Sequence, residues 1–106
     1  MDVTLAGRIA ANAYALAPAA LDDVARRLGN ADWTDLTRKL TFSPWPTGGG
    51  CMMLVAEVPG TGGHHVGITD GEVGLPTGTD TFWFGLLDPD GEELLLLDVQ
   101  EGHLLR

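Results

Sequence analysis

The Pro- and Gly-rich segment SPWPTGGG, at residues 43–50, separates two halves of the chain that differ in hydrophobic pattern. Before it, apolar residues recur at helical spacing; after it, they form short runs and alternations that are typical of β-strands. Because Pro and Gly interrupt regular structure, we interpret the segment as a linker inside a single domain. We therefore predict an α+β domain, with a helical part at 1–42 and a β part at 51–106.

The helical part predicts two or three helices. The stretch VTLAGRIAANAYALA indicates the first, Pro18 suits the first turn of the second, and Gly29 ends the second. DWTDLTRKL indicates a short third helix, with Asp32 as its N-cap and Asp35 in its first turn. The predicted core-facing residues are Leu5, Ile9, Leu16, Leu21, Val24, Leu28, Trp33, Leu36 and Leu40.

The β part predicts an antiparallel meander of three to five strands, since its connections resemble hairpins and no βαβ alternation occurs. The strand candidates are CMMLVAEV, HHVGIT, EVGL, TFWFGLLD and EELLLLDVQ. An Asp-Gly turn joins HHVGIT to EVGL, and the sequence DPDG predicts a tight reversal between the last two strands.

The last predicted strand is apolar on both faces. Leu94 and Leu96 point one way, whereas Leu95, Leu97 and Val99 point the other. One face is expected to pack on the helices. The other face requires a cover, for which the N-terminal helix and a second subunit of a homodimer are the two alternatives.

The charges are divided unevenly along the chain. Residues 1–56 hold five acids and five bases, whereas residues 57–106 hold ten acids and one base, so the second half carries the whole net charge of −9. No Lys or Arg occurs between Leu40 and Leu105. Such a surface repels nucleic-acid phosphates and acidic membranes and attracts basic surfaces. We therefore expect no direct nucleic-acid or membrane binding.

Location and disulfide chemistry follow from two further features of the sequence. Arg8 and Asn12 interrupt the early apolar residues, so we expect no cleaved secretion signal and take the cytoplasm as the default location. Cys51 is the single cysteine, which excludes an internal disulfide and a multi-cysteine zinc site.

The two adjacent histidines His64 and His65 raise the question of a metal or catalytic site. Neighbouring residues on a strand point to opposite faces, so the two imidazoles are not expected to bind one ion. A mixed site would require the fold to bring one of them to Asp70 and His103. We expect no metal and no other cofactor. A small enzyme that uses Cys51 with His64 or His65 as its base remains an alternative.

The features that remain favour protein binding. Trp45 lies between two prolines, and an exposed tryptophan fixed in this way forms a rigid anchor on a partner. The C-terminal acids accelerate docking on a basic protein surface. The predicted partner-binding residues are Trp45, Asp88, Asp90, Glu92, Glu93, Asp98 and Glu101. The leading interpretation is a non-enzymatic binding module, acting as an inhibitor, an antidote or a nucleic-acid mimic; the second alternative is a homo-oligomeric structural module.

Overall fold

Three helices precede six strands in the computed structural model, which describes residues 3–48, 50–70 and 74–105. The helices are α1 (Val3–Leu16), α2 (Pro18–Arg27) and α3 (Trp33–Thr37). The strands are β1 (Ser43–Gly48), β2 (Cys51–Glu57), β3 (His65–Thr69), β4 (Phe82–Leu87), β5 (Glu93–Gln100) and β6 (His103–Leu104). They pair antiparallel in chain order in one sheet. The α+β class is confirmed, although six strands exceed the predicted three to five.

One added strand is β1, which forms from the segment that we interpreted as a linker. Pro44 pairs with Leu54 of β2, and Pro46 pairs with Met52. Alternate residues of an edge strand direct their N–H groups away from the sheet, so prolines two residues apart can occupy positions that lose no ladder hydrogen bond. The prolines therefore restrict this segment to a sheet edge. At the opposite edge, the two-residue strand β6 brings the number to six.

The predicted hairpin between HHVGIT and EVGL does not account for the pairing of β3, which lies between β2 and β4. Residues 71–73 of the predicted turn and second arm lie outside the described residues. Gly74 and Leu75, at the end of that arm, lie outside the strands. A backbone hydrogen bond of 3.0 Å from Asp70 N to the Gly74 carbonyl closes this loop.

The hydrophobic core lies between the helices and one face of the sheet. Its helical members include Ala6, Ile9, Ala10, Ala13, Leu21, Val24, Trp33 and Leu36. Its strand members include Leu54, Val66, Ile68, Phe82, Phe84, Leu86, Leu97 and Val99. At its centre, the ring of Trp33 meets that of Phe84 edge to face, with centroids 5.6 Å apart and planes inclined at 70°. This contact attaches α3 to the middle of the sheet.

The carboxylate of Asp22 connects all three helices. Its Oδ1 accepts a hydrogen bond from the backbone N–H of Trp33, at 3.0 Å, and its Oδ2 accepts one from the Tyr14 hydroxyl, at 3.0 Å. The bond from Trp33 is the main reason that the pKa of Asp22 lies below its ordinary value of 3.8. The bond to Asp22 raises the pKa of Tyr14. Both shifts indicate that the ionised carboxylate is the form the fold prefers.

The start of α3 confirms the predicted cap. Asp32 Oδ1 accepts a hydrogen bond from Asp35 N, at 2.8 Å, while Asp35 Oδ2 accepts one from Ala31 N, at 3.0 Å. The bond from Asp35 N satisfies an amide group that a helix start leaves unbonded, and the bond from Ala31 N ties the residue before the cap to the first turn. Together the two bonds fix the direction in which Trp33 enters the core.

Replacement of Phe84 by alanine tests which face of the sheet is the core. Phe84 is fully buried, so we expect Phe84→Ala to lower the free energy of unfolding by about 3–5 kcal/mol. The control is Leu96→Ala, on the other face and half-buried, with an expected loss of about 1 kcal/mol or less. Urea unfolding followed by circular dichroism measures both. Equal losses would contradict the assignment of the core.

The carboxylate of Asp22 predicts a pH-dependent contribution to stability. Because its pKa in the folded protein lies below 3.8, the stabilisation is present above that value and is lost as the pH falls through the folded pKa. Asp22→Asn, which removes the charge, is therefore expected to be less stable than the wild type at neutral pH. The difference should begin to shrink as the pH falls to about 3.8 and should disappear below the lower pKa of the folded protein. Urea midpoints measured across this range test the prediction, and a difference that persists in acid would contradict it.

Candidate functional site

The sheet has a second face, opposite the helices, which we call the open face. Cross-strand partners lie on the same face of a sheet, so the register identifies its members. They include Ser43, Trp45, Met53, Val55, Glu57, His65, Gly67, Thr69, Trp83, Gly85, Leu87, Leu96 and Asp98. Leu95, Leu97 and Val99 of β5 turn to the core and Leu96 turns to the open face, as predicted, whereas the exposed Leu94 lies at a register shift and has no partner in the ladder. The described helices pack on the core side, so the N-terminal helix is not the cover.

Two glycines form the floor of the open face. Gly67 of β3 pairs directly with Gly85 of β4. A Cβ atom at Gly67 would lie 2.6 Å from Met53 Sδ and 3.5 Å from Leu87 Cδ1, and one at Gly85 would lie 3.7 Å from Leu96 Cδ1. Side chains from the flanking positions therefore lie over the glycines. The result is a low, apolar centre without a projecting side chain.

Trp45 rises beside this centre, on the edge strand. Its side chain is 53% exposed, and its indole Nε1 donates a hydrogen bond of 3.1 Å to Ser43 Oγ. This bond directs the ring back along β1 toward the position opposite Val55, which is 4% exposed although it lies on the open face. Trp45 is therefore exposed but fixed in direction, and these two properties suit a rigid anchor on a partner.

Two clefts flank Trp45. The first, which we call the Trp45 cleft, has a volume of about 330 Å³ and is lined by Trp45, Pro46, Met53, Val55, Glu57, Gly62, Gly63, His65 and Pro89. The second has a volume of about 350 Å³ and is lined by Lys39, Thr41, Ser43, Trp45, Val55, Glu57 and Pro59. Trp45, Val55 and Glu57 line both. The indole thus stands between two concave surfaces that share one carboxylate.

The predicted acidic residues form two groups rather than one surface. Asp88, Asp90, Glu92 and Glu93 lie at the β4–β5 turn, whereas Asp98 and Glu101 lie toward the other end of that hairpin. A strand rises by about 3.3 Å per residue, so β5 is more than roughly 20 Å long from Glu93 to Gln100. The two groups therefore lie toward opposite ends of this strand. Within the first group, Glu93 pairs with Leu87 at the margin of the open face; in the second, Asp98 pairs with Trp83.

Asp88 has a structural role within its group. Its Oδ1 accepts hydrogen bonds from the backbone N–H groups of Asp90 and Glu92, each at 2.9 Å, and Gly91 turns the chain with a φ of 88°. The predicted reversal is confirmed, and the carboxylate of Asp88 is used to form it. Pro89 of this turn contacts the β2–β3 loop, because a Cβ atom at Gly63 would lie 3.3 Å from Pro89 Cβ. The turn therefore brings its acids next to the Trp45 cleft.

Glu101, the last of the predicted acids, lies in the β5–β6 turn with a φ of 52°. Its backbone N–H donates to Thr81 Oγ1 at 3.1 Å. It is exposed, but it lies at the end of the hairpin far from the Trp45 cleft. The structure therefore does not bring Glu101 together with Trp45.

Two open-face residues of the Trp45 cleft, Glu57 and His65, were missed as binding residues by the sequence analysis. They are cross-strand partners, and Leu87 follows His65 in the same row. The signal that could have identified Glu57 is the alternation of Met53, Val55 and Glu57 along β2, which places all three on one face. That signal becomes informative only when the other face is known to be the core.

The cysteine and histidine candidates are not brought together. Cys51 begins β2 opposite Gly48, whereas His65 lies opposite Glu57 at the other end of the strand. Six residues of extended chain span about 20 Å, so His65 cannot act as a base for Cys51. His64 belongs to the same end of the sheet as His65, because its backbone carbonyl accepts from Val58 N at 2.8 Å.

The two adjacent histidines bond to nearby backbone. Nδ1 of His64 lies 3.1 Å from the Thr61 carbonyl oxygen, and Nδ1 of His65 lies 3.0 Å from the Gly63 carbonyl oxygen. Since a carbonyl only accepts, Nδ1 is the donor in both rings. His103 lies on β6, three strands from β3. Within residues 3–48, 50–70 and 74–105, no group of three or more His, Cys, Asp or Glu side chains has the geometry to hold a metal ion.

A larger concave surface lies on the helical side. It has a volume of about 720 Å³ and is lined by Gly7, Ala10, Ala11, Tyr14, Trp33, Thr34, Thr37, Arg38, Leu40, Thr41 and Phe42. Small side chains of α1 form one wall of this surface. The Tyr14 hydroxyl also lines it and donates a hydrogen bond to Asp22. It contains no carboxylate and no histidine, so it adds no acid–base chemistry to that described above.

Comparison with known proteins yields no relative from which a function could be transferred. No protein-family model matches the chain, and neither a curated protein nor a solved structure matches it significantly. Among the helices that the structure describes, none is long and apolar enough to cross a membrane. We therefore infer function from the chemistry of the open face.

Proposed function

We propose that this protein is a small acidic binding module whose open face docks on a basic surface of a partner protein. The observation that carries the proposal is the composition of that face. A low apolar centre formed by Met53, Leu87 and Leu96 lies beside the exposed Trp45. Apolar cores with an aromatic anchor and a polar rim are typical of protein-binding surfaces.

The charge of the rim indicates the chemistry of the partner. Glu57, Glu93 and Asp98 lie on or at the margin of the open face, and no Lys or Arg occurs between Leu40 and Leu105. A potential of one sign accelerates encounter with a surface of the opposite sign and disfavours partners of the same sign. If the partner's basic surface normally binds nucleic acid, docking blocks it, and the module acts as an inhibitor or antidote that mimics phosphates.

The edges of the sheet are poor alternatives to its face. At β1, Pro44 and Pro46 remove N–H groups that an added strand would need, and β6 has two residues. Short edge strands and edge prolines are features by which proteins avoid strand addition. We therefore favour docking through side chains on the open face over pairing at an edge.

Self-association through the open face is the second candidate, because the apolar centre would also be covered by a second copy. Each copy carries a net charge of −9, so the acidic rims would approach one another. Like charges across an interface are unfavourable. Light scattering at low salt distinguishes the two: a monomer supports the heterologous partner, whereas a stable dimer supports the structural module.

Salt-dependent capture tests the proposal. The immobilised protein is incubated with host lysate at roughly 0.05 M salt, and bound proteins are identified after elution at about 0.5 M salt. We expect a partner with a basic surface that is released by salt. In the double variant Glu93→Gln/Asp98→Asn, which removes two charges from the open face, we expect the association rate with that purified partner to fall by roughly tenfold.

The matched control is Asp23→Asn/Asp80→Asn, which changes the net charge equally but alters α2 and the β3–β4 loop. It should associate at nearly the wild-type rate. A partner retained equally at about 0.5 M salt, or an equal effect of the control, would contradict electrostatic docking on the open face.

A further inference from the structure

We infer that the Trp45 cleft is a pocket for one cationic side chain of the partner, and for arginine in preference to lysine. This inference rests on the proposed function and makes it more specific, since it assigns a ligand group to one site on the open face. It is carried by three features of the cleft: an exposed indole, a carboxylate, and apolar walls of suitable size.

The indole of Trp45 supplies a surface for a cation. Its side chain is 53% exposed, and the bond from Nε1 to Ser43 Oγ holds its direction. The electron-rich face of tryptophan attracts guanidinium and ammonium groups more strongly than that of other aromatic side chains. Because the ring is already held, little conformational freedom is lost when a side chain stacks on it.

The carboxylate of Glu57 supplies the opposite charge. It is exposed and lies in the same cleft, with His65 as its cross-strand neighbour. Lys39, which lines the second cleft, is bonded to other groups. Its Nζ lies 2.7 Å from Asn30 Oδ1 and 3.7 Å from Asp35 Oδ2. Among the described residues, no salt bridge includes Glu57. The cleft therefore offers a carboxylate to an incoming cation.

The remaining walls suit the aliphatic part of a long side chain. Pro46, Met53 and Pro89 are apolar, while Gly62 and Gly63 line the cleft without adding a side chain to it. At about 330 Å³, the cleft is at the small end of ligand sites, which suits one side chain better than a cofactor. Long basic side chains bury their methylene groups on such surfaces while the charged end reaches a polar partner.

Arginine fits this arrangement better than lysine. Its guanidinium is planar, so it can stack on the indole and donate two parallel hydrogen bonds to a carboxylate. An ammonium group makes a point contact and is more strongly hydrated. An acidic ligand group is disfavoured, because Glu57 lies in the cleft and Asp90 lies on the adjoining turn.

The test is an NMR titration of the intact protein with N-acetyl-arginine amide, followed through the indole N–H signal of Trp45. The matched probes are the lysine amide and the citrulline amide, which retains the shape of arginine without its charge. We expect a saturable shift with arginine at an affinity on the order of millimolar, severalfold weaker binding of lysine, and no saturation with citrulline.

Variants identify the two contacting groups. Glu57→Gln is expected to weaken arginine binding by at least about fivefold, as loss of a charge pair predicts. Trp45→Leu should abolish saturable binding, whereas Trp45→Phe should retain part of it. Because both variants lack the indole N–H, binding is followed through the backbone N–H of Ser43. Asp23→Asn, which removes an exposed charge from α2 on the other side of the sheet, is the control and should bind as the wild type does.

Equal binding of citrulline, an equal effect of Asp23→Asn, or no saturable shift would overturn the inference. The outcome is separable from that of the proposed function. A basic partner that is lost on Glu93→Gln/Asp98→Asn but bound normally by Trp45→Leu and Glu57→Gln would overturn the arginine pocket and leave the docking face intact. Saturable arginine binding without any basic partner would support the pocket and contradict the proposed function.

Discussion

The contact between Trp33 and Phe84 determines which side of the sheet the helices occupy. Asp22 holds the backbone of Trp33 through a hydrogen bond, and the Trp33 ring then meets Phe84 at the centre of the sheet. All three helices contribute buried residues to the one core that this face of the sheet forms, so they pack on the same side. The other face is left without a layer from the described residues, and the properties of that face follow from this constraint.

An uncovered apolar sheet face is a liability that the sequence limits in three ways. Paired glycines let Met53, Leu87 and Leu96 lie flat, which reduces the apolar surface in contact with water. Prolines on one edge, and a very short strand on the other, hinder pairing with other chains. Acidic residues around the face, with no Lys or Arg between Leu40 and Leu105, give each copy a negative charge that disfavours contact with another copy. In our proposal, a basic partner covers the apolar centre and complements the charge of the rim.

Sequence patterns were sufficient where the physical cause is local. The Asp32 cap and the Asp88 turn depend on side chains that bond to backbone within four residues, and the structure confirms both. The segment at 43–50 was wrongly interpreted as a linker, because prolines were treated as strand-breaking although an edge strand tolerates them. The Trp45 cleft depends on the register of β1 to β3 and on a turn from β4, so neither Glu57 nor the separation of the acids could be derived from spacing alone.

The central claim is that the open face, and not the helical layer, meets the partner. Methyl NMR of the complex with the captured partner tests this most directly, because methyl groups report on each face separately. We expect the signals of Met53, Val55, Leu87 and Leu96 to shift on binding, while those of Leu5 and Leu16 on α1 and of Leu28 just after α2 stay in place. Shifts confined to the helical methyl groups would contradict it.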